Sequence, residues 1–241
     1  MGGAGKVAVN VIFLGPPAAG KGTQAERFAH DQGIPKISTG DILREQIAAG
    51  TPLGQQVKAV MDRGELVGDD LMIAIVKERL SQPDAARGFV LDGFPRTAAQ
   101  AKALDALLAS GDPLLVVEMR VPDDELVRRV VARRVCSNCG RTTTAVDEQE
   151  QTREGCPYCG GALSTRPDDT EAVMRDRLKV YWRDTQPMVA YYQGRPTFRT
   201  VDGAQTPDRV RAELVKVVAD ALGTRGSEIK PGAGVRSERN A

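Results

Sequence analysis

Gly15-Pro16-Pro17-Ala18-Ala19-Gly20-Lys21-Gly22-Thr23 decides the fold of this chain, because it follows the apolar run Val7 to Leu14 and opens a helical pattern. A strand, a glycine loop and a helix start make a phosphate site. Successive backbone N–H groups of such a loop turn inward, the helix N-terminus adds its dipole, and Lys21 neutralises the outer oxygens of a polyphosphate. The general phosphate-loop pattern puts Ser or Thr directly after the lysine, whereas Gly22 here stands between Lys21 and Thr23. The stretch predicts nucleotide binding, with one irregular position.

Outward from the loop, short apolar runs read as strands at Val7 to Leu14, Ile34 to Ile37, Gly88 to Leu91, Leu114 to Arg120 and Thr197 to Val201, with helical patterns between them. That alternation predicts an α/β fold with a parallel sheet. Thr51-Pro52 reads as a helix N-cap and first helical proline, Gly64 as a helix stop, and Asp69 or Asp70 as the cap of the segment containing Leu71, Ile75, Val76 and Leu80. Two stretches interrupt the alternation as insertions: a helical pair at Thr39 to Gly64, and a polar, cysteine-bearing stretch at Arg134 to Thr170. After Gly223 the chain is poor in apolar residues, and a disordered tail over 223–241 is expected.

The 241 residues carry 33 Lys and Arg against 32 Asp and Glu, so a net charge of +1 gives no ground for broad attraction to nucleic acid or an acidic membrane. Anion binding must then be local. The start resembles a signal peptide only loosely, since its apolar run leads straight into the phosphate loop, and no run approaches membrane-spanning length. A cytoplasmic location is expected. Position 6 is Lys rather than the Ser or Thr that myristoylation needs.

Cys136-Ser-Asn-Cys139 and Cys156-Pro-Tyr-Cys159 hold all 4 cysteines, in two knuckles spaced as a tetrahedral zinc site, with two disulfides as the alternative that a cytoplasmic chain disfavours. Four thiolates leave no open position, so the ion would be structural. Leu91-Asp92-Gly93-Phe94-Pro95-Arg96 puts an acid at a strand end beside the loop, where Asp92 could hold magnesium through water or merely close an Asx turn. Arg44, Arg96, Arg129, Arg133, Arg166 and Arg177 recur where the chain leaves the core. Planar forks from several sides suit the spread charge of a phosphoryl-transfer transition state. The only histidine, His30, ends the helix after the loop and is expected at the surface or the core edge, without an acid-base role.

Gly15 to Gln24, Ile37-Ser-Thr-Gly-Asp41, Leu91 to Thr97 and Arg166-Pro-Asp-Asp169 resemble adenylate kinases, specifically the long form whose lid carries a four-cysteine zinc site. The resemblance covers residues 7 to 222, and in that family Gly-Lys-Gly-Thr is the normal form of the loop. It implies a P-loop core of five parallel strands flanked by helices (1–37, 68–128 and 172–222), with two mobile insertions: an AMP-binding flap at 38–67 and a zinc lid at 129–171. It also implies transfer of the γ-phosphoryl group of magnesium ATP to AMP, giving two ADP, in a monomer without nucleic-acid or membrane partners.

By motif, Ala18, Ala19, Gly20, Lys21, Gly22 and Thr23 would wrap the ATP phosphates, with Arg129 over the adenine, Arg133 on the phosphates, Thr142 and Thr143 nearby, and the Gln205 backbone at the adenine edge. Thr39, Arg44, the backbone of Glu65, Leu66 and Val67, Gly93, Phe94, Pro95, Arg96 and Gln100 resemble the AMP site, where the Gln100 amide can donate to and accept from adenine. Arg166 and Arg177 would clamp phosphates as the lid closes, so Lys21, Arg96, Arg133, Arg166 and Arg177 carry the catalytic charge. Two positions depart from the family: Ala18 replaces a glycine, which strains the loop if its φ is positive, and Gly68 replaces a threonine. Two other readings stay open, a kinase for UMP, CMP or GTP on the same core and a nucleotide-gated zinc-ribbon binding protein.

Overall fold

Strand β1 (Val9–Leu14) sends alternate side chains into two separate cores, as the period of a strand requires. Val11 and Phe13 face one apolar cluster, Ile12 and Leu14 the other. The computed structural model describes residues 9–108, 113–144 and 155–221. Val7 and Ala8 of the expected first strand, the acidic stretch 145–154 and the expected tail 223–241 lie outside the described residues.

β1 pairs in parallel with β3 (Gly88–Asp92) on one side and β4 (Leu114–Arg120) on the other. β2 (Lys36–Ser38) flanks β3, and β8 (Phe198–Asp202) flanks β4, giving a parallel sheet in the order β2-β3-β1-β4-β8. All five expected strands are present, with ends shifted by a residue or two. The first core lies under α1 (Lys21–Gln32), α6 (Asp123–Val131), α7 (Glu171–Val180) and α9 (Pro207–Ala221). The second lies under α2 (Thr39–Ala48), α3 (Pro52–Asp62), α4 (Asp69–Leu80), α5 (Ala98–Leu107) and α8 (Gln186–Gln193). Strands covered on both faces read as continuous apolar runs. A π-turn, Tyr181–Thr185, joins α7 to α8.

Thr51 caps α3, its hydroxyl accepting from the Gly54 N–H at 3.0 Å, with Pro52 first in the helix. Gly64, at φ 72°, ends the pair. The expected cap of α4 is different: Gly68 takes that place without a side-chain bond, and Asp69 spends its carboxylate elsewhere.

Residues 133–164 hold a second, antiparallel sheet, β6-β5-β7, of β5 (Arg133–Cys136), β6 (Thr142–Thr144) and β7 (Leu163–Ser164). Among the described residues from 133 to 170, only Cys136, Cys156 and Asp169 are buried. Such a segment has almost no apolar core of its own. Among the described residues, no helix is long and apolar enough to cross a membrane.

Candidate functional site

The phosphate loop is the direct continuation of β1, and its first residue shows why glycine is needed. Gly15 sits at φ 138°, and a Cβ there would lie 2.5 Å from the Met119 carbonyl oxygen of β4. The loop then closes over Lys21, whose ammonium donates to the carbonyl oxygens of Gly15 (2.8 Å) and Pro16 (2.7 Å). Gly22, the irregular position, has a reason: its absent Cβ would stand 3.1 Å from Asp92 Oδ2. The glycine admits a carboxylate from β3 against the loop. Ala18 takes φ 63°, the left-handed conformation that the sequence warned of.

Burial is the largest influence on Lys21 and brings its pKa down to about 8. Asp92 opposes that fall, while Arg96, Arg133 and Arg177 add to it. Arg96 is likewise lowered, first by burial and then by Arg177 and Arg44, and Arg166 by burial, Arg44 and Arg133. A cluster of cations that depress one another is a site short of negative charge.

One cavity of about 1580 Å³ takes in these groups. Ala18, Gly20, Lys21, Gly22, Thr23, Arg129, Arg133 and Thr142 line it, as do Thr39, Arg44, Glu65, Leu66, Val67, Asp92, Gly93, Pro95, Arg96, Gln100, Arg166 and Arg177. Ala19 and Phe94 are instead buried in the cores. Thr143 alternates away from the lining residues Thr142 and Thr144 along β6, and Gln205 stands outside the lining, its amide donating to Glu213 (2.7 Å). Arg129 is placed by Glu125 (2.7 Å) and donates to the Gly203 carbonyl (2.8 Å) at the end of β8.

Carboxylates that sequence reasoning left without roles hold the arginines. Arg133 forms a two-pronged pair with the fully buried side chain of Asp169, and Arg177 pairs with Asp168 at 2.6 Å. Arg44 pairs with Asp41 at 2.5 Å, and Arg166 reaches the same oxygen at 3.8 Å. Burial pushes Asp41 up, but the hydrogen bond and charge of Arg44, with Ser38 and Lys36, bring it below the ordinary carboxylate value. Asp41 was findable, three residues before Arg44 on one helix. His30 is exposed, as expected.

The four cysteine sulfurs lie within 4.8 Å of one another, with Cys136 to Cys159 at 3.5 Å and Cys139 to Cys156 at 3.7 Å. Four sulfurs about 2.3 Å from a common centre stand about 3.8 Å apart in a tetrahedron, so the donor set fits zinc in number, chemistry and spacing. The N–H groups of Asn138 and Cys139 point at Cys136 Sγ, as a thiolate would need. Asp92 lines the cavity beside Lys21 and offers the hard oxygen that magnesium takes.

A family model described as adenylate kinase matches residues 13–197. The chain belongs to the adenylate kinase family. An adenylate kinase of Archaeoglobus fulgidus is 47% identical over 212 residues, 87% of this chain and 98% of that protein. One of Rhizobium etli is 48% identical over 214 residues (88% and 99%), and one of Thermodesulfovibrio yellowstonii 47% over 204 (84% and 95%). Membership makes the chain a phosphotransferase acting between ATP and AMP, with magnesium ATP as the donor. Gly22 after the lysine leaves the carboxylate of Asp92 room that a Cβ would narrow to 3.1 Å.

Proposed function

We propose that the chain transfers the γ-phosphoryl group of magnesium ATP reversibly to AMP, giving two ADP, within a cavity closed by a lid at 129–171 and a flap at 38–67. The observation that carries this reading is the convergence of Lys21 with arginines from four separate parts of the chain, Arg44, Arg96, Arg133 with Arg166, and Arg177, on one cavity. A nucleotide switch needs no acceptor clamp.

An oxygen of the AMP phosphate attacks the γ-phosphorus, and the bond to the bridging oxygen of ADP breaks. No proton need move. Ala18 to Thr23 hold the donor phosphates, and Lys21 follows the charge as it passes to the leaving group. Arg133, Arg166 and Arg177 bind the equatorial oxygens, each exchanging an aspartate for phosphate. Arg129 covers the donor adenine, with Thr142, Thr143 and the Gln205 backbone beside it. Thr39, Arg44, Gly93 to Arg96, the Glu65 to Val67 backbone and Gln100 receive AMP. Magnesium, held through water by Asp92, would neutralise donor oxygens, and zinc on the four cysteines would hold the lid's shape. Closing both flaps excludes the water that would otherwise compete as acceptor. The enzyme acts as a cytoplasmic monomer.

Incubation with magnesium ATP and AMP, UMP, CMP or GMP in parallel, with free phosphate as control, tests the reading. ADP formation from AMP alone, with little free phosphate, is expected. Transfer to another acceptor would overturn the AMP assignment, and no transfer would overturn the kinase reading.

A further inference from the structure

The side-chain amide of Gln100, 2% exposed, is pinned by two groups of opposite character. Its Nε2 donates to Asp69 Oδ1 at 2.8 Å, and its Oε1 accepts from the Arg96 backbone N–H at 2.8 Å. A carboxylate only accepts and a backbone N–H only donates, so one orientation of the amide satisfies both and its 180° flip satisfies neither. Asp69 is itself fixed. It opens α4, its other oxygen accepts from the Thr97 hydroxyl at 2.9 Å, and that hydroxyl caps α5 by accepting from the Gln100 N–H at 3.2 Å.

We propose that Asp69 is a positioning residue that locks the Gln100 amide in one orientation and thereby selects 6-aminopurine over 6-oxopurine acceptors. This inference rests on the reading of Gln100 as the contact to the acceptor base. After its two internal bonds, the amide keeps one N–H and one oxygen lone pair. Adenine presents an acceptor at N1 beside a donor at N6, which that remaining pair complements. Hypoxanthine presents a donor at N1 beside an acceptor at O6, the reverse pattern, which only the flipped amide complements. Asp69 therefore enforces the choice from 31 residues away in sequence without touching the base.

The test compares AMP with IMP as acceptors for the full chain and for Gln100→Ala, Asp69→Ala, Asp69→Ser and Thr97→Val. A serine hydroxyl donates as readily as it accepts, so Asp69→Ser frees the flip with less disturbance and serves if the alanine variant does not fold. Thr97→Val removes the bond from the cap of α5 to Asp69 but spares the bond from Gln100 to Asp69. Expected are a fall of about tenfold in the AMP-to-IMP ratio of kcat/KM for both Asp69 variants, the size of a lost hydrogen bond to a charged acceptor. It should come from a raised KM for AMP and a lowered one for IMP, with the ratio kept in Thr97→Val. If Gln100→Ala loses selectivity while the Asp69 variants keep it, or Thr97→Val loses as much as they do, Asp69 only staples two helices and the proposal is overturned. If Gln100→Ala itself keeps full selectivity, the reading of Gln100 fails, and the proposal with it.

Discussion

The phosphate loop and the cysteine-bearing segment bring cations to one cavity by opposite means. The loop grows out of a strand buried on both faces, and its Lys21 is held by the uncharged carbonyls of Gly15 and Pro16. The cysteine segment has three buried side chains among its described residues, and Arg133 beside it is held by a carboxylate. In the first region apolar packing supplies rigidity and the cation is left short of negative charge. In the second, ion pairs and a cluster of four cysteines that fits zinc stand where a core would be, and each arginine carries a counter-ion that a phosphate can replace. The proposed closure of 129–171 over a substrate held by the loop would draw on both kinds of construction.

Removing the zinc proposed for the four cysteines is the largest break expected in this comparison. A small polar module without zinc is unfolded, so a strong chelator should abolish amide protection in the described parts of 133–164 while the five-stranded sheet keeps its own. Hydrogen exchange read by mass spectrometry measures both at once. Equal protection before and after chelation would mean that the segment folds without metal.

Lys21→Met should lower kcat by roughly 10²–10³, the loss seen when one preorganised charge-stabilising donor is removed. Its effect on stability runs the other way, because an ammonium brought down to about 8 from its ordinary value of 10.5 is held against its preference. Below pH 8 the penalty is complete; between about 8 and 10.5 the unfolded chain binds the extra proton, so wild-type stability rises with pH and the penalty fades. The melting-temperature advantage of Lys21→Met over wild type should therefore shrink across that interval. ATP affinity of the wild type should fall above pH 8 as the free enzyme loses this proton. An affinity flat to pH 10 would show that Lys21 keeps its charge by other means.

On the other side, Asp169→Ala strands Arg133 without its buried partner, and breaking such a pair costs about 3–5 kcal/mol. Urea unfolding followed by fluorescence of the single Trp182 reads the loss. A loss below about 1 kcal/mol would make the pair a surface one in energetic terms.

The sheet was legible because strands buried on both faces leave continuous apolar runs, as at Gly88 to Leu91 and Leu114 to Arg120. The cysteine cluster was legible because its four members come in two short knuckles. The carboxylates were harder. Asp69 reads as a helix cap from its neighbours, and nothing local announces that its partners are Thr97 and Gln100 in α5. Arg133 and Asp169 stand 36 residues apart, and Arg129 meets the end of β8 74 residues on. Spacing in sequence carries information about one element at a time, while these contacts depend on where the sheet brings different elements together.

The smallest effect belongs to Ala18, and it sharpens the comparison most. At φ 63° an alanine is held about 1–2 kcal/mol above its preferred backbone, so the loop bears strain where a glycine would bear none. Ala18→Gly removes that strain but frees the unfolded chain by about 0.4–1 kcal/mol and gives up the methyl that packs on the first core. The terms nearly cancel, and the melting temperature should move by only a few degrees. What should change is order: a glycine can leave the left-handed conformation at little cost, so KM for ATP should rise about twofold while KM for AMP stays put. A gain of more than about 2 kcal/mol with both KM values unchanged would show that strain in the loop is unopposed and serves no purpose. Such a result would count against apolar packing of the Ala18 methyl as what keeps the phosphate loop in one shape.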